Sequence, residues 1–223
     1  MGATSGEAPI RVLLADDHPV VRAGLRATLA APGLAVVGEA ASGDEVPARC
    51  REARPDVVLL DLQMPGPPPT AVVAALRAAC PGARVLVLTG HDEDAYVQEL
   101  LAAGVAGYAL KDEAPEALVD AVRSVAHGGS WLSRAVMARL VQTGRAGPPA
   151  GPALTARERQ LLTLVAQGWD NARLAATLHL SEQTVRSYLS RLYAKLGVRT
   201  RAAAALWAAE HGLLGARPGA NAP

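Results

Sequence analysis

Polar side chains follow four of the short apolar runs in the first half of the chain, at the points where strands would end. Carboxylates that are brought together repel one another unless a cation joins them, and sites rich in oxygen ligands suit Mg²⁺. An aspartate beside such an ion can attack phosphorus, while a lysine and a hydroxyl offset the charge of the transferred group. The roles assigned in this way are Asp61 as the nucleophile, Asp16 and Asp17 as the metal site, Thr89 as the hydroxyl donor and Lys111 as the phosphate partner.

The elements that must position these residues are strands alternating with helices. Apolar blocks of the kind expected for strands covered on both faces predict strands at 10–15, 34–40, 56–61, 84–89 and 106–110. Helical patterns lie at 19–30, 43–53, 70–79, 94–103 and 115–127. Five such units in series predict an α/β domain with a doubly wound, five-stranded parallel sheet. With the strand order 2-1-3-4-5, the polar residues would meet at one rim of the sheet, beyond the carboxyl ends of its strands.

Two other interpretations of the same residues stay open. Polar residues often end strands only because a loop begins there, although five of them at the ends of four strands weaken that explanation. An aspartate-based phosphohydrolase of the haloacid-dehalogenase type also carries a nucleophilic Asp after a strand. Such enzymes use a second Asp two residues later as a general acid, and here that position is Gln63.

Residues 10–128 resemble the receiver domain of two-component response regulators. The matching segments are 12–18 (VLLADDH), 60–66 (LDLQMPG), 87–89 (VLT) and 107–112 (GYALKD). The resemblance implies that a partner histidine kinase phosphorylates Asp61. It also implies a Mg²⁺ ion held by Asp16, Asp17, Asp61 and the Gln63 carbonyl. A further implication is that Thr89 and Tyr108 report the phosphoryl group to the output face.

The loop after Asp61 departs from the family pattern. After Met64-Pro65-Gly66 the family usually continues with a variable residue, an acidic residue and a glycine, whereas this chain continues with Pro67-Pro68-Pro69-Thr70. Three prolines fix φ and remove backbone donors, so we expect a stiffer, reshaped loop beside the phosphorylation site. This departure keeps a second regulator hypothesis open, in which the receiver is degenerate and DNA binding is constitutive.

The charge of the chain is divided between its two halves. Residues 1–130 carry 10 Lys and Arg against 17 Asp and Glu, a balance of −7, whereas residues 131–223 carry 12 against 4, a balance of +8. A basic second half favours phosphate-bearing partners, and nucleic acid above all. The Gly- and Pro-rich stretch 144–152 is typical of a linker, and only helical patterns follow it, at 156–167, 171–178, 182–196 and 201–211.

The second half carries a helix-turn-helix pattern. Thr155 and Glu158 have the spacing of a capping box at the start of one helix, and Asp170 and Ser181 can cap the next two. Two short helices around a tight turn, the second with exposed polar and basic groups, are typical of DNA-binding helix-turn-helix domains. A charged, solvated helix face is the ordinary alternative.

Residues 154–214 resemble the LuxR-type helix-turn-helix domain, with matches that include 165–168 (VAQG), 184–186 (TVR) and 195–198 (KLGV). Together the two resemblances imply the NarL/FixJ class of response regulators, with a receiver at 10–128, a linker at 129–153, a small all-α DNA-binding domain at 154–214 and a disordered tail at 215–223. They also imply a recognition helix at 182–195 and a helix at 201–211 that pairs two copies on DNA. The residues expected at the DNA are Asn171, Glu182, Gln183, Thr184, Arg186, Ser187, Tyr188, Ser190, Arg191 and Lys195.

These patterns together predict a transcription regulator rather than an enzyme. The expected partners are a sensor histidine kinase, Mg²⁺, double-stranded DNA with a two-fold site, and a second copy of the chain. No apolar run approaches the ~18 residues of a membrane helix, and no basic and apolar leader opens the sequence. Cys50 and Cys80 lack both metal-ligand spacing and a disulfide framework. We therefore expect a cytoplasmic protein with no membrane partner.

Overall fold

The strands of the first domain form one parallel sheet. The computed structural model describes residues 8–90, 97–133, 136–137, 152 and 154–213. Its strands are β1 (Ile10–Ala15), β2 (Leu34–Ala40), β3 (Val57–Asp61), β4 (Arg84–Thr89), β5 (Gly107–Leu110) and β6 (Trp131–Leu132). They lie in the order β2-β1-β3-β4-β5-β6, and every pairing is parallel. The predicted α/β sheet and its order are confirmed, with one strand added at the β5 edge.

Helices cover both faces of this sheet. They are α1 (Pro19–Thr28), α2 (Val46–Ala53), α3 (Pro69–Ala79), α4 (Val97–Ala103) and α5 (Pro115–Ala126). Alternate strand residues enter two apolar clusters, one with α2, α3 and α4 and the other with α1 and α5. The central strands are therefore buried on both faces, which explains why their sequences are continuous apolar blocks. Residues 94–96 of the predicted helix 94–103 lie outside the described residues.

The second domain consists of helices, as predicted. They are α6 (Ala156–Ala166), α7 (Asn171–Leu178), α8 (Glu182–Leu196) and α9 (Arg201–Glu210), and their apolar residues share one cluster. Thr155 and Glu158 form the predicted capping box, and the side chains of Asp170 and Ser181 cap α7 and α8. Each helix start is thus fixed by a local sequence signal. None of the helices in the described ranges has the length and apolar character needed to cross a membrane.

Strand β6 lies in the segment 129–153 that we expected to be a linker. The Ser133 amide extends its pairing with β5 by donating to the Tyr108 carbonyl at 3.1 Å. The close approach needs a glycine in β5, because a Cβ on Gly107 would lie 2.1 Å from the Trp131 carbonyl oxygen. The rest of the expected linker, at 134–135, 138–151 and 153, and the expected tail at 215–223 lie outside the described residues.

The two domains contact each other through α9. The α9 residues that enter the apolar cluster of α4 are Ala202, Leu206 and Ala209. Two polar contacts cross the same boundary. The Thr200 hydroxyl donates to the Leu101 carbonyl at 3.4 Å, and the Ser124 hydroxyl donates to the Gly168 carbonyl at 3.3 Å. Helix α9 therefore packs against the first domain as well as its own.

Candidate phosphorylation site and DNA-binding face

The carboxylates predicted from the strand ends meet at the carboxyl edge of the sheet. Asp16 and Asp17 follow β1, and Asp61 ends β3, which pairs with β1. One ligand atom from each of Asp16, Asp17, His18 and Asp61 lies within 4.8 Å of the others. Asp16 and Asp61 are only 0% and 2% exposed, so solvent does little to relieve the repulsion between their charges.

Lys111 brings a positive charge into this acidic cluster. Its Nζ lies 2.6 Å from Asp61 Oδ2 and 3.1 Å from Asp16 Oδ2. Burial lowers the pKa of Lys111, but the two carboxylates raise it by more, so the pKa lies above its ordinary value. Lys111 therefore stays protonated near neutral pH, and its ammonium offsets the charge of the carboxylates.

Two carboxylate oxygens of the cluster accept no hydrogen bond. They are Oδ2 of Asp16 and Oδ1 of Asp17, and both are buried. Side-chain nitrogen atoms lie near each of them, with Lys111 Nζ at 3.1 Å from the first and His18 Nδ1 at 2.8 Å from the second. Mg²⁺ prefers such oxygen ligands and keeps water in its remaining positions. The carboxylates of Asp16, Asp17 and Asp61 are therefore a donor set that fits Mg²⁺.

The backbone around the cluster holds two of its carboxylates in place. The His18 amide donates to Asp16 Oδ1 at 2.8 Å, and the Gln63 amide donates to Asp61 Oδ1 at 3.1 Å. The Gln63 side chain is exposed and is not needed for the expected metal contact, which comes from the backbone carbonyl. Both amides come from the residue two positions after the carboxylate, so the turn that follows each strand also orients its aspartate.

The proline segment after Asp61 starts α3. Pro68 precedes the helix with φ −56° and ψ 147°, and Pro69 is its first residue. Proline suits this position, because its fixed φ is helical and its missing N–H would have no helical partner. The helix therefore begins one residue before the predicted start, and the prolines define that start.

Thr89 and Tyr108, the expected switch residues, lie on neighbouring strands. Thr89 ends β4 and pairs in register with Leu110, the residue before Lys111. Its hydroxyl donates to the Gly90 carbonyl at 3.1 Å. Tyr108 is fully buried, burial raises its pKa, and its hydroxyl donates to the Val97 carbonyl at 3.4 Å. Tyr108 thus connects β5 to α4, the helix that contacts the second domain.

Helix α8 buries its apolar residues and exposes most of the residues expected at DNA. The buried ones are Val185, Leu189, Leu192 and Leu196. The exposed ones are Glu182, Gln183, Arg186, Ser187, Tyr188, Ser190, Arg191 and Lys195, and Thr184 is half-buried. The Arg191 guanidinium lies 5.2 Å from the centre of the Tyr188 ring. A polar, basic and aromatic helix face of this kind can enter a DNA major groove.

Two of the residues expected at DNA, Asn171 and Lys195, have side-chain partners on another helix of their own domain. Asn171 Oδ1 accepts a hydrogen bond from Arg201 at 2.9 Å, and Arg201 also donates to the Trp169 carbonyl. Lys195 Nζ contacts Glu158 at 2.7 Å. These contacts join α7 to α9 and α8 to α6. Asn171 and Lys195 therefore help to hold the domain together, and Asn171 lies on a different helix from the other expected residues.

His18 belongs to the acidic cluster, although the sequence analysis gave it no role. Its Nδ1 lies 2.8 Å from Asp17 Oδ1 and 3.5 Å from Asp16 Oδ1, and 59% of the side chain is exposed. The signal that could have found it is its position directly after two carboxylates at a strand end. The His18 imidazole nitrogen therefore joins the three carboxylates as a further atom that could bind a cation at this site.

Comparisons with known proteins match both domains. A family described as "Response regulator receiver domain" matches residues 12–123, and one described as "Bacterial regulatory proteins, luxR family" matches residues 152–208. The DNA-binding transcriptional activator DevR/DosR of Mycobacterium tuberculosis is 40% identical over 218 residues, which cover 96% of this chain and all of that protein. These matches extend over both domains and the segment between them.

Two solved structures resemble the whole chain. The response regulator ChrA of a heme-sensing two-component system has a TM-score of 0.53 and 40% identity, covering 93% of this chain and all of that one. A structure of two RcsB dimers bound to DNA has a TM-score of 0.55 and 26% identity, covering 91% of this chain and 98% of that one. With an α/β receiver sheet, an acidic cluster at its rim and a LuxR-type helical domain, the chain is a transcriptional response regulator of the NarL/FixJ class of two-component systems.

Proposed function

We propose that this regulator is switched by transfer of a phosphoryl group from a sensor histidine kinase to Asp61. The observation that carries the proposal is the contact of the Lys111 ammonium with both Asp61 and Asp16, at 2.6 and 3.1 Å. In the transfer, a carboxylate oxygen of Asp61 bonds to phosphorus as the bond from phosphorus to the kinase histidine breaks. Lys111 then holds a negatively charged phosphoryl oxygen, and the Thr89 hydroxyl donates to another.

Asp16, Asp17 and Asp61 would hold a Mg²⁺ ion, with the Gln63 carbonyl as a further oxygen ligand. The buried, unsatisfied oxygens of Asp16 and Asp17 support this assignment. When bound, the ion neutralises carboxylate charge and polarises the phosphoryl oxygens. The backbone amides that donate to Asp16 and Asp61 keep both side chains aimed at the same point, which reduces the cost of ordering them at each transfer.

The partner of the second domain is double-stranded DNA, with α8 in the major groove. The exposed side chains of Arg186, Ser187, Tyr188 and Arg191 support this placement, because such groups reach base edges and phosphates. The positive balance of the second half supplies the phosphate contacts. DNA is found in the cytoplasm of a bacterial cell, and we propose that compartment for the protein.

Two copies of the chain bind a two-fold DNA site through α9. This step is supported by the DNA-bound RcsB dimers and by the apolar face of α9, which carries Ala202, Leu206 and Ala209. That face packs against the first domain here, and one face cannot contact α4 and a second copy at the same time. Phosphorylation of Asp61 would therefore act by releasing α9 from the first domain.

Exposure of the full chain to a small-molecule phosphodonor, with Asp61→Asn as the variant, tests the proposal. We expect the wild type to take up one phosphoryl group in the presence of Mg²⁺ and then to bind DNA more tightly. The DNA is a duplex selected from a random library by the treated wild type, and its affinity should fall steeply with salt. Asp61→Asn should neither take up the phosphoryl group nor bind DNA more tightly after treatment. The control Asp120→Asn, which changes an exposed side chain of α5, should behave as the wild type. Phosphoryl uptake by Asp61→Asn would contradict the assignment.

A constitutive DNA binder with a degenerate receiver is the second candidate function, and the Pro67-Pro68-Pro69 segment favours it. In that case the wild type would bind the duplex equally well before and after treatment, and carboxylate-dependent Mg²⁺ binding would be absent. An aspartate-based phosphohydrolase would give a third result, which is repeated turnover of phosphate esters instead of one stable phosphorylation.

A further inference from the structure

His18 is held beside the acidic cluster by its own backbone. Its amide donates to Asp16 Oδ1 at 2.8 Å, and its carbonyl accepts the Arg22 amide at 3.0 Å in the first turn of α1. Proline disfavours helical backbone in the residue before it, and His18, which precedes Pro19, is extended with φ −87° and ψ 111°. The imidazole is therefore attached to a backbone that is fixed on both sides, which reduces the cost of ordering the ring at a ligand.

The His18 imidazole serves neither the helix that follows it nor the apolar core. His18 is the N-cap residue of α1, but its side chain makes no hydrogen bond to the amides of the first turn. The side chain is also 59% exposed, so core packing does not explain its position. The ring instead contacts carboxylate oxygens, with Nδ1 at 2.8 Å from Asp17 and at 3.5 Å from Asp16.

The contact between His18 and Asp17 is short, but it is not a hydrogen bond. Nδ1 lies 2.8 Å from Asp17 Oδ1, and yet this buried oxygen accepts no hydrogen bond, so an N–H at Nδ1 does not point at it. The two atoms lie side by side, as neighbouring ligands of one ion do. In an octahedral site with bonds of about 2.1 Å, neighbouring ligand atoms are about 3 Å apart and opposite ones are about 4.2 Å apart.

A buried oxygen of Asp16 is a second group that faces the same place. Asp16 is 0% exposed, and its Oδ2 accepts no hydrogen bond, although the Lys111 ammonium lies 3.1 Å away. One ligand atom from each of Asp16, Asp17, His18 and Asp61 lies within 4.8 Å of the others, so small side-chain movements bring all four to one ion. These residues therefore offer three oxygens and one nitrogen to the same cation.

We infer that Nδ1 of His18 is a ligand of the ion at the phosphorylation site and makes this site prefer divalent transition-metal ions to Mg²⁺. The inference rests on the metal site of the function proposed above. An imidazole nitrogen adds much to the binding of ions such as Co²⁺ and Zn²⁺ and little to that of Mg²⁺, which prefers oxygen ligands and water. A low concentration of such an ion then competes with Mg²⁺ for the carboxylates around Asp61.

The test measures the dissociation constants of Mg²⁺ and of Co²⁺ by calorimetric titration of the untagged full-length chain. The proteins are the wild type, His18→Ala, His18→Asn and the control His127→Ala. Ala removes the ring without removing a capping bond, and Asn supplies a side chain that caps helices well but has no ring nitrogen. His127 is an exposed histidine of the same domain whose Nδ1 contacts the Arg123 carbonyl, so it reports unspecific binding by an imidazole.

We expect the Co²⁺ dissociation constant to rise about tenfold in both His18 variants, because each lacks the ring nitrogen. The Mg²⁺ constant should change by less than about twofold, because Mg²⁺ gains little from imidazole. Excess Mg²⁺ should displace Co²⁺ from the wild type, since both ions use the same carboxylates. In protein labelled with ¹⁵N-histidine, bound Co²⁺ should shift and broaden the ring signals of His18 and leave those of His127 unchanged. His127→Ala should keep both wild-type constants.

Three results would contradict the inference and leave the proposed phosphorylation of Asp61 intact. Wild-type Co²⁺ affinity in both His18 variants would mean that the ring faces the Asp17 charge without binding the ion. An equal rise of the Mg²⁺ and Co²⁺ constants would mean that His18 supports the shape of the site and does not select the metal. Co²⁺ that excess Mg²⁺ fails to displace would lie at another site.

The remaining outcomes are also decisive. If His18→Ala fails to fold, His18→Asn answers the question in the same way, because it carries a capping side chain and lacks the nitrogen. If the wild type binds neither ion, the metal site of the proposed function fails, and the inference fails with it.

Discussion

One ammonium group in the acidic cluster lies against two buried carboxylates. Lys111 is 24% exposed, whereas the Asp16 and Asp61 side chains have no exposure at all. Removal of one partner from a buried ion pair costs about 3–5 kcal/mol, because the remaining charge stays uncompensated. Here a bound cation can replace the lost charge, so the cost should depend on Mg²⁺.

Lys111→Gln should therefore lower the free energy of unfolding by about 2–3 kcal/mol in the absence of Mg²⁺. The expected loss is smaller than that for a fully buried ion pair because Lys111 is partly solvated. Saturating Mg²⁺ should restore most of that loss, since an ion bound only by the folded chain stabilises it. Urea unfolding in EDTA and in Mg²⁺ measures both effects. Arg49→Gln, which removes an exposed pair with Glu52, should change stability by no more than about 0.5 kcal/mol in either buffer. An equal loss for Lys111→Gln in both buffers would show that Mg²⁺ does not replace the charge of the missing ammonium.

The pairing of β6 with β5 depends on a single residue of β5, Gly107. The pairs Gly107–Trp131 and Tyr108–Leu132 hold it to β5, and any side chain at 107 would collide with the Trp131 backbone. Gly107→Ala should destabilise the chain by about 1–3 kcal/mol, as overpacking does, and should accelerate hydrogen exchange at Ser133. Gly24→Ala is the matched control, since open space surrounds Gly24 in α1 and alanine there should add up to about 1 kcal/mol of stability. Wild-type exchange at Ser133 in Gly107→Ala would mean that β6 accommodates the methyl group.

The elements that the sequence predicted are those with a local or periodic signal. Buried strands are continuous apolar blocks, and α8 begins at a capping serine and ends at Gly197 with φ 71°, so both of its predicted ends are confirmed. Strand β6 has two residues, too few for any periodicity, and its pairing depends on the small size of Gly107. It was missed for that reason.

The acidic cluster was predictable because parallel strands bring their carboxyl ends to one edge of the sheet. Polar residues at the ends of several strands therefore predict a single shared site. The groups that join the two domains were not predictable in this way. Ser124, inside α5, and Thr200, just before α9, look like ordinary helix residues in the sequence, and their partners Gly168 and Leu101 lie in the other domain. Long-range polar contacts of this kind produce no periodic pattern in the amino-acid sequence.

At the scale of the whole molecule, the domain boundary combines a small apolar surface with a few polar contacts. Helix α9 places Ala202, Leu206 and Ala209 against the first domain, and two hydroxyl groups donate across the boundary. Alanine side chains bury little area, so the contact contributes modestly to stability. A boundary of this kind suits a switch, because a change of a few kcal/mol is enough to move the chain between closed and open arrangements.

Ser124→Ala should shift that balance without touching either functional site. The substitution removes a hydroxyl that donates to the Gly168 carbonyl of the second domain and to the Ser130 carbonyl beside β6. Loss of one hydrogen bond weakens the closed arrangement by about 1 kcal/mol, so the unphosphorylated variant should bind the selected duplex about fivefold more tightly than the wild type. After phosphorylation the two proteins should bind equally, because the boundary is then already open. Fluorescence anisotropy with labelled DNA measures both affinities, and Ser42→Ala, beside β2 at the opposite edge of the sheet, is the control. An unphosphorylated Ser124→Ala chain with wild-type affinity would show that this contact does not restrain the DNA-binding domain.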